Sequence, residues 1–391
     1  MHPPLVPRVL DLAIQIQQIP APTFSESRRL AFIRQRFEEQ GLSQVGTDHL
    51  GNLYACLPGT GSAPPLVVSA HCDTVFPQST PLEVTRESDK VCGPGIGDNS
   101  LGVAGLFGLL WGLKSNDQAT FTNLNALQTG LISDHRSVER SALPGDLWLV
   151  CNVGEEGLGD LFGMRAVVDR FGDAPLAYIV LEGMALGQVY HRALGVHRFR
   201  VTSSTQGGHS WVDFGRPSAI HALSALVTRL TALDLAESPR TTLNVGVISG
   251  GTSINTIAAQ AYLELDLRSE GPQTLENLTR QVEALVRAFD SDDVRFECQQ
   301  IGNRPTGELS PNHALVRLAQ RSLKRLGIQP SLNIGSTDAN IPLSRGIPAI
   351  CLGLTTGGGA HTIQEYINIP PLTQGLQQLV LIVRDAFKEL I

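Results

Sequence analysis

Short apolar runs alternate with segments of helical periodicity along the first half of the chain. Four largely apolar runs, at 52–57, 65–70, 146–153 and 177–181, predict buried strands. Apolar residues at helical spacing predict helices at 5–18, 25–40, 101–113 and 164–171. This alternation is typical of an α/β domain in which a mixed sheet carries helices on both faces.

From residue 197 the pattern changes to alternating polar and apolar positions. Strands are predicted at 197–202, 242–248, 259–268 and 294–299, with helices at 218–230 and 275–289. This order predicts a smaller α+β domain of the ferredoxin-like type, with an antiparallel sheet. After Pro305 the α/β pattern resumes. We therefore predict a discontinuous larger domain of residues 1–194 and 305–391, interrupted by a smaller domain of residues 195–304.

Composition narrows the classes of function. The 391-residue chain has a formal net charge of −7 and no stretch rich in lysine or arginine, which argues against a nucleic-acid partner. No apolar run approaches the roughly 20 residues that a membrane span needs. No secretory signal is visible, and the six cysteines have no paired spacing. Free thiols in a reducing cytoplasm are the simplest interpretation.

Imidazole and acidic groups follow three of the predicted strands. His71 and Asp73 follow the strand at 65–70, Glu155 and Glu156 follow the strand at 146–153, and Glu182 follows the strand at 177–181. The carboxyl ends of strands in an open α/β sheet are where sites form. Because strand side chains alternate with period two, His71 and Asp73 point the same way. His71 could therefore ligate a metal while Asp73 fixes its ring.

Two glycine-rich segments add an acid and a second histidine. The first, at 92–100, contains Asp98 and leads into an apolar helix, and the second, at 357–360, is followed by His361. A phosphate-binding loop is a rival interpretation of the first segment, but the Walker lysine and a GxGxxG pattern are both absent. On this segment alone, a helix-capping aspartate is the simplest structural role for Asp98.

Taken together, these groups form a nitrogen and oxygen donor set suited to zinc, or to manganese or cobalt. There are more carboxylates than one zinc ion needs, which predicts a pair of metal ions. A paired site also needs a carboxylate left over as general base for a water. The adjacent acids Glu155 and Glu156 suit that division.

These segments resemble the dizinc metallopeptidase and deacylase family that includes peptidase T, glutamate carboxypeptidase, aminoacylase, acetylornithine deacetylase and succinyl-diaminopimelate desuccinylase. They occur in the family's order and span the chain, and the smaller domain corresponds to the family's lid. The matching motifs are His71-Cys72-Asp73-Thr74-Val75, Gly95-Ile96-Gly97-Asp98, Glu155-Glu156-Gly157, Glu182-Gly183 and Gly358-Gly359-Ala360-His361.

The resemblance implies a zinc-peptidase catalytic domain that holds two Zn²⁺ ions, with Co²⁺ or Mn²⁺ as alternatives. In this assignment Asp98 bridges the two ions. His71 and Glu182 complete the site of one ion, and Glu156 and His361 complete the site of the other.

Further roles follow from the same resemblance. Asp73 is expected to orient His71, and Glu155 is expected to activate a water between the ions. The lid is expected to form a homodimer in which His209 reaches the partner's active site and stabilises the oxyanion.

Two further lid residues are expected to bind substrate. Asn255 and Arg268 match positions that hold a substrate carboxylate, and an arginine fork is suited to that task.

The sequence departs from the family at two places. Asn99-Ser100 stands where many members carry a second acid and a lysine, and the polar insertion at 115–145 is long for the family. The acid at position 182 is informative too, because family aminopeptidases tend to carry aspartate there. Glu182 therefore favours cleavage next to a free C-terminal carboxylate. The expected activity is metal-dependent hydrolysis of an amide bond in small peptides, of carboxypeptidase or di/tripeptidase type.

Two other functions stay open. An N-acyl amino acid deacylase differs from a peptidase only in its substrate. A non-catalytic binding protein that retains the pocket is the alternative from another class, although a binder has no need for Glu155. Around the site, Ser336, Thr337 and Asn340 form either a substrate contact or a capped turn, and Cys72 is expected to pack in the core.

Overall fold

The computed structural model describes residues 4–114 and 142–391. Over these residues the chain divides into two compact units, Met1–Arg192 with Glu308–Ile391, and Ala193–Gly307. The boundaries predicted from the sequence lie within three residues of this division. Most of the predicted insertion at 115–145 falls on residues 115–141, which lie outside the described residues.

Within residues 4–114 and 142–391, both units contain helices. In chain order they are α1 (Leu5–Gln17), α2 (Ser27–Glu39), α3 (Gly102–Lys114), α4 (Phe162–Phe171), α5 (Ala219–Thr231), α6 (Pro272–Phe289), α7 (Ala314–Arg325), α8 (Asn340–Ser344) and α9 (Leu372–Glu389). A π-helical turn at Ile96–Leu101 precedes α3, and a 3₁₀ turn at Gly157–Gly159 precedes α4.

The strands are mostly short. In chain order they are β1 (Ser43–Thr47), β2 (Leu53–Leu57), β3 (Leu66–His71), β4 (Thr85–Arg86), β5 (Lys90–Cys92), β6 (Leu147–Asn152), β7 (Tyr178–Glu182), β8 (Gln188–Ala193), β9 (Gly195–Thr205), β10 (Gly208–His209), β11 (Thr241–Gly250), β12 (Thr256–Ile257), β13 (Gln260–Ser269), β14 (Val294–Arg304), β15 (Gly307–Glu308), β16 (Ser331–Gly335), β17 (Ala349–Gly353), β18 (Gly357–Gly358) and β19 (Tyr366–Asn368).

The large sheet of the first unit has a parallel centre. Its strand order is β1-β2-β6-β3-β7-β17-β8-β15, and β16 pairs with β8. Strands β6, β3, β7 and β17 are parallel neighbours, so their carboxyl ends lie at one edge of the sheet. Every residue of β3 and β6 is buried, which requires cover on both faces of the sheet, as predicted.

One segment is more apolar than the sequence analysis anticipated. Ile96–Lys114, which includes α3, is long and apolar enough to cross a membrane by length and composition. However, 83% of the apolar window is buried inside the protein, and α3 contacts α1, α9 and β3. A helix that is apolar on all sides and surrounded by other elements is a core helix.

The second unit is a two-layer α+β fold. Its antiparallel sheet has the order β11-β13-β9-β14, which with the chain order βαββαβ gives the ferredoxin-like arrangement. Along β13, buried residues alternate with more exposed ones, because α5 and α6 cover one face. A small ribbon of β10 and β12 lies outside this sheet and pairs His209 with Thr256.

Candidate metal centre

The ends of parallel strands and two loops carry the candidate ligands of the first unit. His71 ends β3 and Glu182 ends β7, while Glu156 lies just beyond β6. Asp98 lies in the π-helical turn before α3, and His361 lies in the loop between β18 and β19. The edge of the sheet predicted from the sequence therefore gathers all five side chains.

Asp98 lies between the two histidines. Its Oδ1 is 3.2 Å from Nε2 of His71, and its Oδ2 is 3.1 Å from Nε2 of His361. Nε2 of His71 is also 3.6 Å from Glu182 Oε2, and Nε2 of His361 is 3.2 Å from Glu156 Oε1. The two groups share only Asp98, which offers one oxygen to each, as a carboxylate that bridges two metal ions must.

A neighbouring carbonyl fixes the tautomer of His71. Nδ1 of His71 lies 3.2 Å from the backbone oxygen of Asp73, which can only accept a hydrogen bond. Nδ1 therefore carries a proton, and Nε2 is the ring atom directed at Asp98 and Glu182. Burial acts to lower the pKa of His71, but Glu182, Asp73 and Asp98 outweigh it and raise that pKa. A metal ion bound at Nε2 would take the place of the proton that these acids otherwise favour there.

The carboxylate of Asp73 binds the backbone after β6 in addition to its contact with the ring of His71. It is fully buried, and its Oδ1 accepts the backbone N–H of Glu155 at 3.0 Å. Its Oδ2 accepts the backbone N–H of Glu156 at 3.0 Å and the hydroxyl of Thr23 at 2.9 Å. Asp73 thus fastens the loop after β6 to the end of β3.

The turn between β6 and the two glutamates requires glycine. Gly154 has a φ of 64°, in the left-handed region, and a Cβ atom there would lie 1.9 Å from the ring of Phe162. Because Gly154 has no side chain, the backbone can turn tightly enough for the N–H groups of Glu155 and Glu156 to reach Asp73.

Asp98 does not cap a helix, so the simple interpretation of the glycine-rich segment is wrong. Its backbone angles, φ −114° and ψ 87°, are not helical, and α3 begins only at Gly102. The loop does bind an anion, but the anion is the carboxylate of Glu365. Sequence reasoning missed Glu365, although it lies only four residues after His361.

The charges of the site favour divalent cations. Burial, together with the neighbouring charges of Asp98 and Glu155, raises the pKa of Glu156 to about 8 and that of Glu182 to about 7. Burial also acts to raise the pKa of Asp98, but hydrogen bonds with the two histidines outweigh it and lower that pKa. Four carboxylates thus converge on two imidazoles. The raised pKa values show that Glu156 and Glu182 retain protons when no cation is bound, and the nitrogen and oxygen donors fit a pair of divalent ions that would displace those protons.

The acidic neighbours of His361 raise the pKa of its ring. Asp98 and Glu156 raise the pKa of His361 to about 10, because both acidic neighbours stabilise the protonated ring. The ring is half-exposed, with 55% of its side-chain surface accessible. His361 is thus the candidate ligand at the open side of the centre.

His209 and Asn255 lie together in the second unit. Nδ1 of His209 accepts the backbone N–H groups of Trp211 and Val212 at 3.2 and 3.3 Å, so the proton of the neutral ring is on Nε2. The backbone of Ser210 donates to the carbonyl of Asn255 at 3.0 Å. Both predicted residues are exposed.

Arg268 lies in the four-stranded sheet of the second unit, near the end of β13 that is farther along the chain from the β10–β12 ribbon. It is paired with Val196 and Thr242, and its guanidinium binds Asp266 at 2.6 and 3.2 Å. The end of β13 near the β10–β12 ribbon is Gln260, eight residues away. At about 3.3 Å per residue, roughly 26 Å separates the two ends. Within one copy, Arg268 is therefore far from His209 and Asn255.

The turn at 336–340 is internally capped. Asn340 Oδ1 accepts the N–H of Thr337 at 3.0 Å, and Thr337 Oγ1 accepts the N–H of Ala339 at 3.2 Å. The fully buried Asp338 accepts from Asn152 Nδ2 at 2.7 Å, which joins this turn to the end of β6. These bonds favour the structural interpretation of the turn. Cys72 is fully buried, as expected for a packed residue.

Comparisons with known families match both units. A model of the M20 peptidase dimerisation domain matches residues 193–294, and a model of peptidase family M28 matches residues 52–157. The uncharacterized protein YqjE of Bacillus subtilis (strain 168) is 22% identical over 97% of this chain and 99% of its own length. The acetylornithine deacetylase of Klebsiella pneumoniae (strain 342) is 26% identical over 85% of this chain and 84% of its own length.

Solved structures match over almost the whole chain. A tripeptidase from Staphylococcus aureus has a TM-score of 0.76 at 22% identity, covering 98% of this chain and 99% of that chain. A dinuclear metal binding peptidase of the M20 family from Bacillus subtilis has a TM-score of 0.64 at 16% identity, covering 98% and 99%. The predicted resemblance and fold class are confirmed, and the peptidase models agree with the predicted enzyme class.

We predict that Asp73→Asn weakens metal binding by about 10- to 100-fold, the usual effect of removing a hydrogen-bond partner behind a ligand. The amide cannot accept from both Glu155 and Glu156, so the loop loses its attachment. Competition with a chromophoric chelator measures the affinity for Zn²⁺.

Asp48→Asn is the matched control. Asp48 also accepts two backbone N–H groups, from Leu50 and Asn52, but it lies outside the site. It should keep wild-type affinity. Wild-type affinity in a folded Asp73→Asn variant would contradict the role assigned to Asp73.

Proposed function

We propose that this protein is a metal-dependent hydrolase that cleaves an amide bond in small peptides, with two Zn²⁺ ions per chain as its cofactors. The observation that carries the proposal is the position of Asp98, with one carboxylate oxygen directed at each of two histidines. Buried, converging carboxylates are costly without cations, and a purely structural role would not require them.

Each ion would be held by three side chains. His71, Glu182 and Asp98 form one group, and His361, Glu156 and Asp98 form the other, with the candidate ligand atoms of each group within 4.8 Å of one another. A bound pair of ions supplies an acidified water and polarises the carbonyl of the substrate. Proton transfer and binding of the oxyanion would be carried out by the side chains around the two ions.

Glu155 is the proposed general base. It is buried, lies with His71 and Glu156 in a third group of close donors, and is fixed through its backbone by Asp73. Glu155 would take a proton from the attacking water and pass it to the leaving amine. We assign Glu156 to the ion because its Oε1 lies 3.2 Å from Nε2 of His361, and we assign the proton transfer to its neighbour Glu155.

His209 is the proposed donor to the oxyanion. Because Nδ1 accepts two backbone N–H groups, the exposed ring can present Nε2–H to a developing negative charge. Arg268 and Asn255 are the proposed partners of the substrate carboxylate. A small peptide cannot span the roughly 26 Å between Gln260 and Arg268 along β13. These groups can meet at one substrate only if they come from two copies of the chain.

A homodimer formed through the second unit supplies those two copies. The match to a dimerisation domain at 193–294 supports this assembly. The bond type would be one next to a free C-terminal carboxylate, which Arg268 and Glu182 favour. We also propose a cytoplasmic location, in keeping with six cysteines that are all free thiols.

A deacylase of N-acyl amino acids is the second candidate. It is favoured by the similarity to an acetylornithine deacetylase, which is 26% identical over 85% of this chain. Both reactions hydrolyse an amide, and the same base and oxyanion donor would serve either one.

Glu155→Gln should reduce kcat by about 10²- to 10⁴-fold, because the amide cannot accept the proton of the water. Metal content should stay at the wild-type value. The neighbouring substitution Glu156→Gln should instead lower metal content, since Glu156 is a proposed ligand. Elemental analysis and initial rates on the same samples separate the two effects. Substantial turnover by Glu155→Gln would show that another group is the base.

A substrate panel tests the bond type. We expect cleavage of dipeptides and tripeptides with a free C-terminal carboxylate. Their C-terminal amides should lose about 10- to 100-fold in kcat/KM, as expected for the loss of a charge-assisted hydrogen bond of about 1.5–3 kcal/mol. N-acetyl amino acids complete the panel. Faster cleavage of these would establish the deacylase instead, and equal rates on acids and amides would contradict the carboxylate contact.

Mixing two inactive variants tests whether one active site combines residues from two copies of the chain. His209→Ala and Glu155→Gln should each be nearly inactive alone. After subunit exchange, an equal mixture should recover about a quarter of the wild-type rate, since half of the dimers are mixed and each contains one intact site. Glu155→Gln mixed with the double variant should recover nothing. Absence of recovery after proven exchange would place His209 in the site of its own chain.

A further inference from the structure

The glycine-rich loop at 92–100 is wrapped around one buried carboxylate. Glu365 has no exposed surface, and its Oε2 accepts the N–H of Gly95 at 2.8 Å. Its Oε1 accepts the N–H groups of Gly97 and Asp98, each at 2.7 Å. Three amides directed at one carboxylate form a charge-assisted anion site, and here the anion belongs to the chain itself.

The glycines of this loop allow the wrapping. Gly95 has a φ of 73°, which a residue with a side chain adopts at a cost. A Cβ atom on Gly97 would lie 2.8 Å from the side chain of Met184. Glycine at both positions therefore allows the backbone to come close to Glu365.

Glu365 also belongs to the segment that carries His361. The two residues lie in one loop, in which the N–H of Glu365 donates to the carbonyl of Thr362. The carbonyl of Glu365 accepts the N–H of Gly93 at 2.8 Å, and the next residue, Tyr366, pairs with Cys92. Glu365 therefore binds the Asp98 loop through its side chain and through its backbone.

We propose that Glu365 is a positioning residue that holds the Asp98 loop against the His361 loop, and thereby sets the distance between two ligands of the same metal ion. This inference rests on the metal centre of the proposed function. In this role Glu365 would act through the backbone of Asp98, whose N–H it binds, and would touch neither the substrate nor an ion.

The geometry requires a carboxylate at this position. Three N–H donors meet two oxygens that only accept. In Glu365→Gln one oxygen becomes an NH₂ group, which would face at least one backbone N–H across about 2.7–2.8 Å. One donor or more is left without a partner, and the loop must move to relieve the contact. In Glu365→Asp the charge stays, but the shorter side chain cannot reach all three donors.

The test compares wild type with Glu365→Gln, Glu365→Asp and the control Gln364→Ala, whose side chain is exposed in the same loop. Backbone amide exchange of the metal-free proteins, read by mass spectrometry on peptides covering 90–101, reports on the clamp. Chelator competition with Zn²⁺ at a temperature at which each variant is folded reports on the ligands.

We expect faster exchange at 95–98 in both Glu365 variants, and an affinity for one ion that falls by about 10- to 100-fold. The control should match wild type in both measurements. Unchanged exchange would overturn the clamp. Faster exchange with wild-type affinity would reduce Glu365 to a structural role and overturn the positioning proposal. If wild type itself binds no pair of ions, the proposed function fails, while the exchange result still tests the clamp. If Glu365→Gln does not fold, amide exchange and Zn²⁺ affinity of Glu365→Asp test the proposal in its place.

Discussion

A buried carboxylate, Asp73, determines where the reactive groups of this protein lie. Taking a carboxylate out of water costs several kcal/mol unless hydrogen bonds replace its hydration. Burial alone would raise the pKa of Asp73, but His71 and the backbone N–H groups of Glu155 and Glu156 outweigh burial and lower it. Asp73 therefore stays ionised, and the bonds that keep it so are the ones that fix a proposed ligand and the proposed base.

A second carboxylate repeats this arrangement on the other side of the site. Asp73 accepts the backbone of the loop after β6, and Glu365 accepts the backbone of the loop before α3. In both cases a buried acid binds main-chain N–H groups, and the side chains of the bound loop remain directed at the centre. This separation has a physical advantage. At Asp73 the N–H groups help to lower the pKa, whereas at Glu365 burial outweighs them and raises the pKa to about 7. Backbone donors satisfy both supporting acids, which leaves Asp98, Glu156 and Glu182 as the acids available to cations.

The sequence predicted the parts of this site that follow from strand periodicity. An apolar run followed by an acid or a histidine defines a strand end, and parallel strands bring such ends to one edge, so His71, Glu156 and Glu182 could be expected to meet. Contacts made through the backbone were beyond such reasoning. The bonds from Glu365 to three amides depend on the path of a glycine-rich loop, which no periodicity encodes. A similar limit applies to α2, which was predicted to begin at residue 25 but begins at Ser27 without a side-chain cap.

Strand register explains why the proposed substrate contacts could not be arranged from the sequence. Asn255 and Arg268 are close in the chain and were expected to share one carboxylate, yet the pairing of β13 with β9 sends Arg268 to the far end of the sheet. The proposed metal ligands His71 and Glu156 are buried in the first unit, where packing restricts change. The proposed recognition residues lie on the surface of the second unit, where His209 and Asn255 are exposed. A surface of this kind can change without disturbing the buried supports of the metal centre. One hydrolytic centre can therefore be combined with different acyl or peptide specificities, in agreement with the similarity of this chain to a tripeptidase and to an acetylornithine deacetylase.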